Sequence, residues 1–323
     1  MSILRLIVTI PAYNEAATIA EVISNIPRTI KDVDEVKVLV IDDGSSDDTA
    51  TLARNAGADA VITHSTNMGL GRAFLTGINY AIAMKADLVV NIDADGQFNP
   101  QEIPNLIEPI IKGEADVVIG SRFLSIHSKR SIPFVKRSGN KIFSKIISWL
   151  SGQSFTDTQC GFRAYSREAL LRLTIFDRYT YTQESLLNLA SKGLRIKEVP
   201  ISVKYYTQRK SRLIKHNLTY GFKALLIVLR TFRDFAPLRF FGGIGIITMS
   251  AGLAMGLLIF IRWLLTGRTS PYTSLINVGG ALVILGFLIL LLALIADMFA
   301  RQRQLQEEVL YHLRKKVYSE IDA

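Results

Sequence analysis

The chain has a single cysteine, Cys160, among 323 residues. One thiol excludes an intrachain disulfide framework and a cysteine-rich zinc site. The four histidines, His64, His127, His216 and His312, are scattered and show no His-Glu-x-x-His spacing. There is no Gly-x-x-x-x-Gly-Lys-Ser/Thr phosphate loop. Nor does a strand-linked Gly-x-Gly-x-x-Gly occur, which argues against a dinucleotide cofactor. Acids are missing between Asp116 and Asp157, a stretch that holds Arg122, Lys129, Arg130, Lys136, Arg137, Lys141 and Lys145. Charge of either sign is missing from Phe240 to Ile261 and again between Arg268 and Asp297. No repeat or low-complexity tract is evident. Hydrophobic residues make up 49% of the chain, which excludes global disorder. The length suits about two domains.

The uncharged runs dictate the first division of the chain. Phe240–Ile261 as a helix spans roughly 33 Å, enough for a bilayer core of about 30 Å. The second run is densest from Leu275 to Ala296. Their length and adjacency favour transmembrane helices over buried core helices. The connection from Arg262 to Ser274 is too short for a domain, so the pair forms a hairpin with both ends on one side. From Lys204 to Arg239 there are nine Lys/Arg against one acid, Asp234, whereas the hairpin loop carries only Arg262 and Arg268. The positive-inside bias therefore places both termini in the cytoplasm of a multi-pass cell (inner) membrane protein. Ile3–Ile10 runs into Pro11-Ala-Tyr-Asn-Glu15 without a cleavage site and reads as a strand, not a signal peptide. Leu218–Phe235 mixes aromatics and aliphatics with Lys223, Arg230 and Arg233, as an interfacial amphipathic helix or a plain domain helix would. Met298, Leu305, Val309 and Leu313 recur at helical spacing, predicting a tail helix that packs on the catalytic domain or on another subunit of a homo-oligomer. The expected organisation is a catalytic domain over 1–212, interfacial helices over 213–237, two membrane helices within 238–298 and a cytoplasmic helix over 299–323.

The first two hundred residues read as α/β. Strand-like runs at 4–10, 36–41, 60–63, 88–92 and 117–119 alternate with helical patterns at 16–26, 47–56, 71–84 and 100–111, which predicts a mainly parallel sheet. Ligands bind such sheets outside the carboxyl ends of the strands. Three strands end there in Pro11-Ala-Tyr-Asn-Glu15, Asp42-Asp-Gly-Ser-Ser-Asp-Asp48 and Asp93-Ala-Asp-Gly-Gln97. Asp93 and Asp95 offer two hard oxygen ligands where a strand stops, with Gln97 beside them, and this suits Mg2+ or Mn2+ shared with a phosphate. Asp-x-Asp is also a common surface turn. Asp43 can accept from a base or ribose, while Asp47 or Asp48 serves as a helix cap. Pro11 and Tyr13 can flank a base, with Glu15 on the ribose. Arg122, just after a strand, is placed for a diphosphate.

The net charge of +10 calls for an anionic partner. Phosphate, on a lipid or in membrane headgroups, explains the one-sided tract at 122–145 better than a solvated helix face does. Nucleic acid is disfavoured, because the basic runs bracket the apolar helices and no nucleic-acid motif is present. Asp157 breaks the basic tract, either as a paired acid or as a catalytic carboxylate. Glu184 is a second candidate.

Taken together, Pro11–Glu15, Asp42–Thr49, Asn67–Ala73, Asp93–Gln97, Gly120–Phe123 and Asp157–Arg163 resemble glycosyltransferase family 2. The branch is that of polyprenyl-phosphate glycosyltransferases, which includes dolichol-phosphate mannose synthases and bacterial bactoprenol glucosyltransferases. The resemblance spans about residues 4–235, and the two-helix tail matches the bactoprenol enzymes. It implies a GT-A domain followed by a transmembrane hairpin, and inverting transfer of one hexose from a nucleotide sugar to a polyprenyl phosphate. UDP-glucose and undecaprenyl phosphate are the expected pair, with GDP-mannose the alternative donor and another lipid or polysaccharide the alternative acceptor. It implies nucleotide-sugar contacts from Pro11, Tyr13, Glu15, Ile41, Asp43, Asp93, Ala94 and Arg122. Asp95, Gln97 and Asp93 would hold Mg2+ or Mn2+, and Asp157 would match the carboxylate proposed as catalytic base. Lys129, Arg137, Arg209 and Arg212 are candidates for the acceptor phosphate. Gln208-Arg-Lys-Ser-Arg212 departs from the family's Arg-x-x-Gly-x-Ser-Lys, which leaves open which cation closes on the diphosphate. The Gln-x-x-Arg-Trp motif of processive synthases is absent, favouring single-sugar transfer. A silent, membrane-anchored nucleotide-binding protein is the non-enzyme alternative.

Overall fold

The computed structural model describes residues 3–124, 134–175, 181–204, 229–230 and 232–320. The predicted interfacial helix at 218–235, Lys129, and Arg209 and Arg212 fall largely or wholly outside them. So does the side chain of Arg137.

Seven strands form one mixed sheet: β1 (Arg5–Ala12), β2 (Glu35–Asp42), β3 (Ala60–Thr63), β4 (Leu88–Asn91), β5 (Val117–Ser121), β6 (Arg163–Ser166) and β7 (Ile196–Pro200). Their order is β3-β2-β1-β4-β6-β5-β7. All pairings are parallel except those of β6, which runs antiparallel to both β4 and β5. The five predicted strands are all present, so the α/β reading holds. β6 and β7 are additions. β6 (Arg163-Ala-Tyr-Ser) has almost no apolar signature, and β7 is an edge strand carrying Lys197, Glu198 and Pro200.

Helices cover the sheet as the alternation requires: α1 (Ile19–Ser24), α2 (Thr49–Asn55), α3 (Leu70–Ala83), α4 (Ile103–Ile111), α5 (Phe134–Ser151), α6 (Arg167–Arg172) and α7 (Thr182–Ser191). β1 and β2 read as nearly continuous apolar runs because both of their faces are covered. Phe74, Ile78 and Ala81 of α3 join Ile7, Leu39 and Ile41 in one buried cluster. With the strands thus fixed, the carboxyl ends of β1, β2 and β4 lie side by side in register, since Thr9 pairs with both Leu39 and Asn91.

Two long helices complete the chain, α8 (Pro237–Thr266) and α9 (Thr273–Glu320). Contacts divide the chain into two units, Met1–Leu213 with Glu308–Ala323, and Ile214–Glu307. Within the second unit both predicted runs lie in helices long and apolar enough to cross a membrane. Small residues set their packing. A Cβ added to Gly252 would stand 2.5 Å from Gly279 O, and one on Gly286 would stand 2.5 Å from Met249 N. Such backbone contact is how helices associate where burial of apolar surface gives no driving force.

Helix α9 continues without a break past residue 298, and its end belongs to the first unit. The tail therefore packs on the catalytic unit, but not through the predicted stripe. Leu305, Val309 and Leu313 are 57–70% exposed, whereas Tyr311 and Tyr318 are buried. Tyr311 Oη donates to Glu168 Oε2 (3.3 Å), and Arg314 donates to the Leu173 carbonyl (2.6 Å). Arg172 and Arg167 cover the rings of Tyr311 and Tyr318 at 4.2 and 4.8 Å. Aromatic faces under guanidinium groups outcompete an aliphatic stripe because they satisfy the cations as well as burying area. Tyr318→Ala should destabilise the first unit by about 2–4 kcal/mol. The midpoint of its thermal unfolding in detergent measures this, and an unchanged midpoint would contradict the docking.

Candidate active site

The polar strand ends interlock before any ligand is considered. After β1 the chain turns through Asn14, at φ 53°. The Asn14 N–H donates to Ser45 Oγ (2.9 Å), and its side-chain oxygen accepts from the Ser46 N–H (2.8 Å). The Glu15 N–H donates to Thr49 Oγ1 (2.9 Å), while Thr18 Oγ1 donates to the Ala94 carbonyl (2.8 Å) and lies 3.2 Å from Glu15 Oε2. The three predicted motifs are thus one hydrogen-bonded rim. Tyr13 is exposed on this rim, whereas Pro11, Ile41 and Ala94 are buried.

The acids of the second motif divide their labour. Asp42 accepts from the Ser45 N–H (3.1 Å). Asp47 accepts from the Thr49 N–H (3.1 Å) and the Ala16 N–H (3.2 Å), so it takes the first-turn role, while Asp48 makes no side-chain cap. Asp43 is buried and receives the Met68 and Gly69 N–H groups at 2.9 and 2.8 Å, with His64 Nδ1 at 2.7 Å. It shapes the Gly-rich loop that opens α3. His64 was not anticipated as a member of this group.

Asp93 and Asp95 follow β4 and are both half-buried. Asp95 accepts from the Gln97 N–H (3.0 Å) and from its side-chain amide (2.6 Å). Burial, and then the neighbouring charges of Asp95 and Glu15, push Asp93 up to about 7, against the opposing pull of Arg122 and Arg163. Two carboxylates held this close repel each other, and a divalent cation would relieve the repulsion. Among the described residues no group of three His, Cys, Asp or Glu is placed to hold a metal ion. The pair alone fits Mg2+ or Mn2+, which complete their shell with water and substrate phosphate.

Below Asp93 lies Gly161. A Cβ there would meet both Asp93 carboxylate oxygens at 2.8 and 2.9 Å, so only glycine permits this approach. Arg163 is wholly buried and donates to the Cys160, Thr158 and Thr182 carbonyls and to Ser185 Oγ at 2.7–2.9 Å. Its hydrogen bonds go to neutral oxygens, which leaves its charge to act on Asp93. Tyr181 stacks on Phe74 at 3.9 Å and accepts from Asn91 Nδ2 (2.8 Å). Cys160 is pushed up to about 12 by burial and the Asp157 charge, so it is an inert thiol.

Arg122 and Asp157, predicted separately, are joined. Arg122 Nε and Nη2 donate to the two Asp157 oxygens at 2.6 and 2.8 Å. Asp157 is 0% exposed. Glu198 on β7, which sequence reading missed, fixes the turn that carries it. Its carboxylate accepts from the Thr156 N–H (3.0 Å), Thr156 Oγ1 (2.9 Å) and the Asp157 N–H (2.9 Å). Burial raises its pKa despite these bonds. Its signal in the sequence is a charge inside a strand-like run, Ile196–Pro200. Glu184 lies in the first turn of α7, half-buried.

The sequence profile of glycosyl transferase family 2 matches residues 7–174. Glycosyltransferase AglJ of Haloferax volcanii is 29% identical over 89% of this chain and 91% of its own. A UDP-N-acetylglucosamine–dolichyl-phosphate N-acetylglucosaminyltransferase of Methanococcus voltae is 33% identical over 66% of this chain and 90% of its own. The fold matches glucosyl-3-phosphoglycerate synthase of Mycobacterium tuberculosis, crystallised with Mn2+, UDP and glucosyl-3-phosphoglycerate, with TM-score 0.54 and 23% identity over 71% of this chain and 79% of that one. The mixed sheet is therefore of the GT-A type.

The raised Asp93 has a signed consequence. Its folded pKa lies above that of an unfolded carboxylate, so ionising it costs stability progressively as pH rises from about 4 to 7. A cation must displace its proton at any pH below about 7. Mn2+ affinity should fall by up to about tenfold per pH unit below 7, and Asp93→Asn should abolish the slope. Calorimetric titration at several pH values measures this; a flat profile would contradict the arrangement. Gly161→Ala should weaken Mn2+ binding by displacing Asp93, with Ala at the open position Gly139 as the neutral control.

Proposed function

The chain belongs to glycosyltransferase family 2, and from this premise we propose that it transfers one hexose from a nucleotide sugar to a polyprenyl phosphate at a membrane surface. One observation carries the reading. The carboxylate pair Asp93/Asp95, the rim built from residues 11–15 and 42–49, and the Arg122–Asp157 pair share one sheet edge. UDP-glucose is the proposed donor and undecaprenyl phosphate the proposed acceptor. A relative that names UDP and a dolichyl phosphate, and a fold neighbour holding UDP with Mn2+, support a UDP sugar and a divalent metal.

Tyr13 and the backbone around Asp43 would cradle the base and ribose. Asp93 and Asp95, with Gln97 alongside, would hold Mg2+ or Mn2+, which supplies countercharge to the departing diphosphate. Arg122 adds a further positive charge where negative charge develops on the leaving diphosphate. The acceptor phosphate oxygen attacks the anomeric carbon from the face opposite the diphosphate as the bond to the diphosphate breaks. A phosphate monoester with a second pKa of about 6 is mostly dianionic at pH 7, so no strong base is needed. Asp157, buried in a bidentate pair, accordingly acts by holding the Arg122 guanidinium in place. Both apolar helices would anchor the enzyme, with the basic flank from Lys204 to Arg239 keeping the catalytic domain on the cytoplasmic side.

Purified protein with Mg2+ should move labelled glucose from UDP-glucose into undecaprenyl phosphate, with GDP-mannose and UDP-N-acetylglucosamine run in parallel. Label in lipid that needs both metal and acceptor supports the reading and selects the donor. Metal-dependent nucleotide binding without any transfer would favour the silent binding protein. Asp157→Asn should lower kcat by about a hundredfold, with metal-dependent UDP binding intact. Near-normal turnover would remove Asp157 from the mechanism.

A further inference from the structure

The proposed reaction gives His64 no task, yet its imidazole sits at the polar end of the sheet, nearly enclosed. The residue follows β3, and its backbone N–H donates to the Asp42 carbonyl (2.9 Å), which sets the ring beside the second strand-end motif. Its side chain is 10% exposed and that of Asp43 is 4% exposed. Nδ1 lies 2.7 Å from Asp43 Oδ1, and Nε2 lies 3.1 Å from Thr76 Oγ1 on α3. Asp43 also accepts from the Met68 and Gly69 N–H groups, so the ring nitrogen that faces it is the one carrying a proton. In the neutral ring the Thr76 hydroxyl then donates to Nε2. The imidazole is held at both ends, and turning it would strand a polar group away from water.

The consequence falls on Asp43. A carboxylate offers about four lone-pair sites, shared equally by its two oxygens. Oδ1 takes the His64 Nδ1–H and the Met68 N–H, and Oδ2 takes the Gly69 N–H. Gly44, at φ 72°, lets the Gly-rich loop come this close, since a Cβ there would stand 2.6 Å from the Thr66 carbonyl carbon. Among the described residues, that leaves one acceptor position on Oδ2, on the rim where Tyr13 stands exposed. One position suits a base with a single ring N–H, as uracil has at N3. Guanine presents two donors on one edge, N1–H and N2–H, and these call for both oxygens of a carboxylate. We propose that His64 is a specificity-determining residue. By filling Asp43 Oδ1 it leaves a single acceptor, and so selects a uridine over a guanosine nucleotide. Selectivity of this kind comes from removing the rival's partner rather than from adding one for the favoured ligand. The proposal rests on the nucleotide-sugar reading above and names the base, but its test reads binding alone.

The full-length protein in detergent, with saturating Mn2+, is titrated with UDP and with GDP by calorimetry. UDP should bind about tenfold more tightly than GDP, or better. His64→Ala frees Oδ1 and should bring the two affinities within about twofold of each other. His64→Asn places an amide N–H where Nδ1 stands and should keep the preference. His64→Gln places one where Nε2 stands and should lose it. If the alanine variant does not fold, the Asn and Gln variants carry the same comparison. A merely structural role for His64 would weaken both nucleotides alike and leave their ratio unchanged, which would overturn the proposal. So would tighter binding of GDP than of UDP by the unaltered protein, or binding of neither. A UDP preference that follows residue 64, without sugar transfer to polyprenyl phosphate, would leave this assignment standing and remove the proposed reaction. Transfer from UDP-glucose with a preference indifferent to residue 64 would do the reverse.

Discussion

Asp93 and Asp95 leave the same strand two residues apart, and every nearby feature answers the repulsion between them. Burial, and then the charge of Asp95, disfavours ionisation of Asp93 at this sheet end and pushes its pKa up to about 7. The chain compensates from below with Arg163, whose guanidinium is wholly buried among carbonyl and hydroxyl oxygens. Neutral partners satisfy its hydrogen bonds and leave the field available to Asp93. From above, compensation comes from Arg122 and, on the proposed reading, from a divalent cation arriving with a diphosphate.

This electrostatic centre depends on packing around it. Gly161 lets the β6 segment pass beneath Asp93. Tyr181, stacked on Phe74 of α3, ties that segment to Asn91 on β4. Glu198 holds the turn of Thr156 and Asp157, and Asp157 holds Arg122 in two hydrogen bonds. The β7 edge strand thus reaches the reacting region through one carboxylate and one guanidinium. The tail of α9 docks through Tyr311, Arg314 and Tyr318 on α6, on Leu173 just after it and on Ala86 just before β4.

The strand-end motifs were legible because each is a local pattern, an apolar run followed at once by acids and glycine. β1, β2 and β4 are buried on both faces, so their signal is strong. Arg163 was visible only as part of a family motif, because its partners are backbone carbonyls and no pairing of charges marks it. Glu198 is 41 residues from the Asp157 amide that it receives, and nothing local announces that contact. The tail helix misled for a related reason. Aliphatic periodicity at 305, 309 and 313 pointed to one face, while cation–aromatic contacts chose the other. Sequence patterns report burial well. They report poorly which buried or half-buried polar groups find one another.

The central claim is that the carboxylate pair is completed by a cation and a diphosphate together, each making the site for the other. Such coupling is reciprocal in free energy. The most direct measurement is a double titration by calorimetry on the full-length protein, UDP with and without Mn2+ and Mn2+ with and without UDP. The account predicts that each ligand tightens the other by the same factor, and that Asp95→Asn removes the coupling. Equal UDP affinity with and without Mn2+ would contradict it.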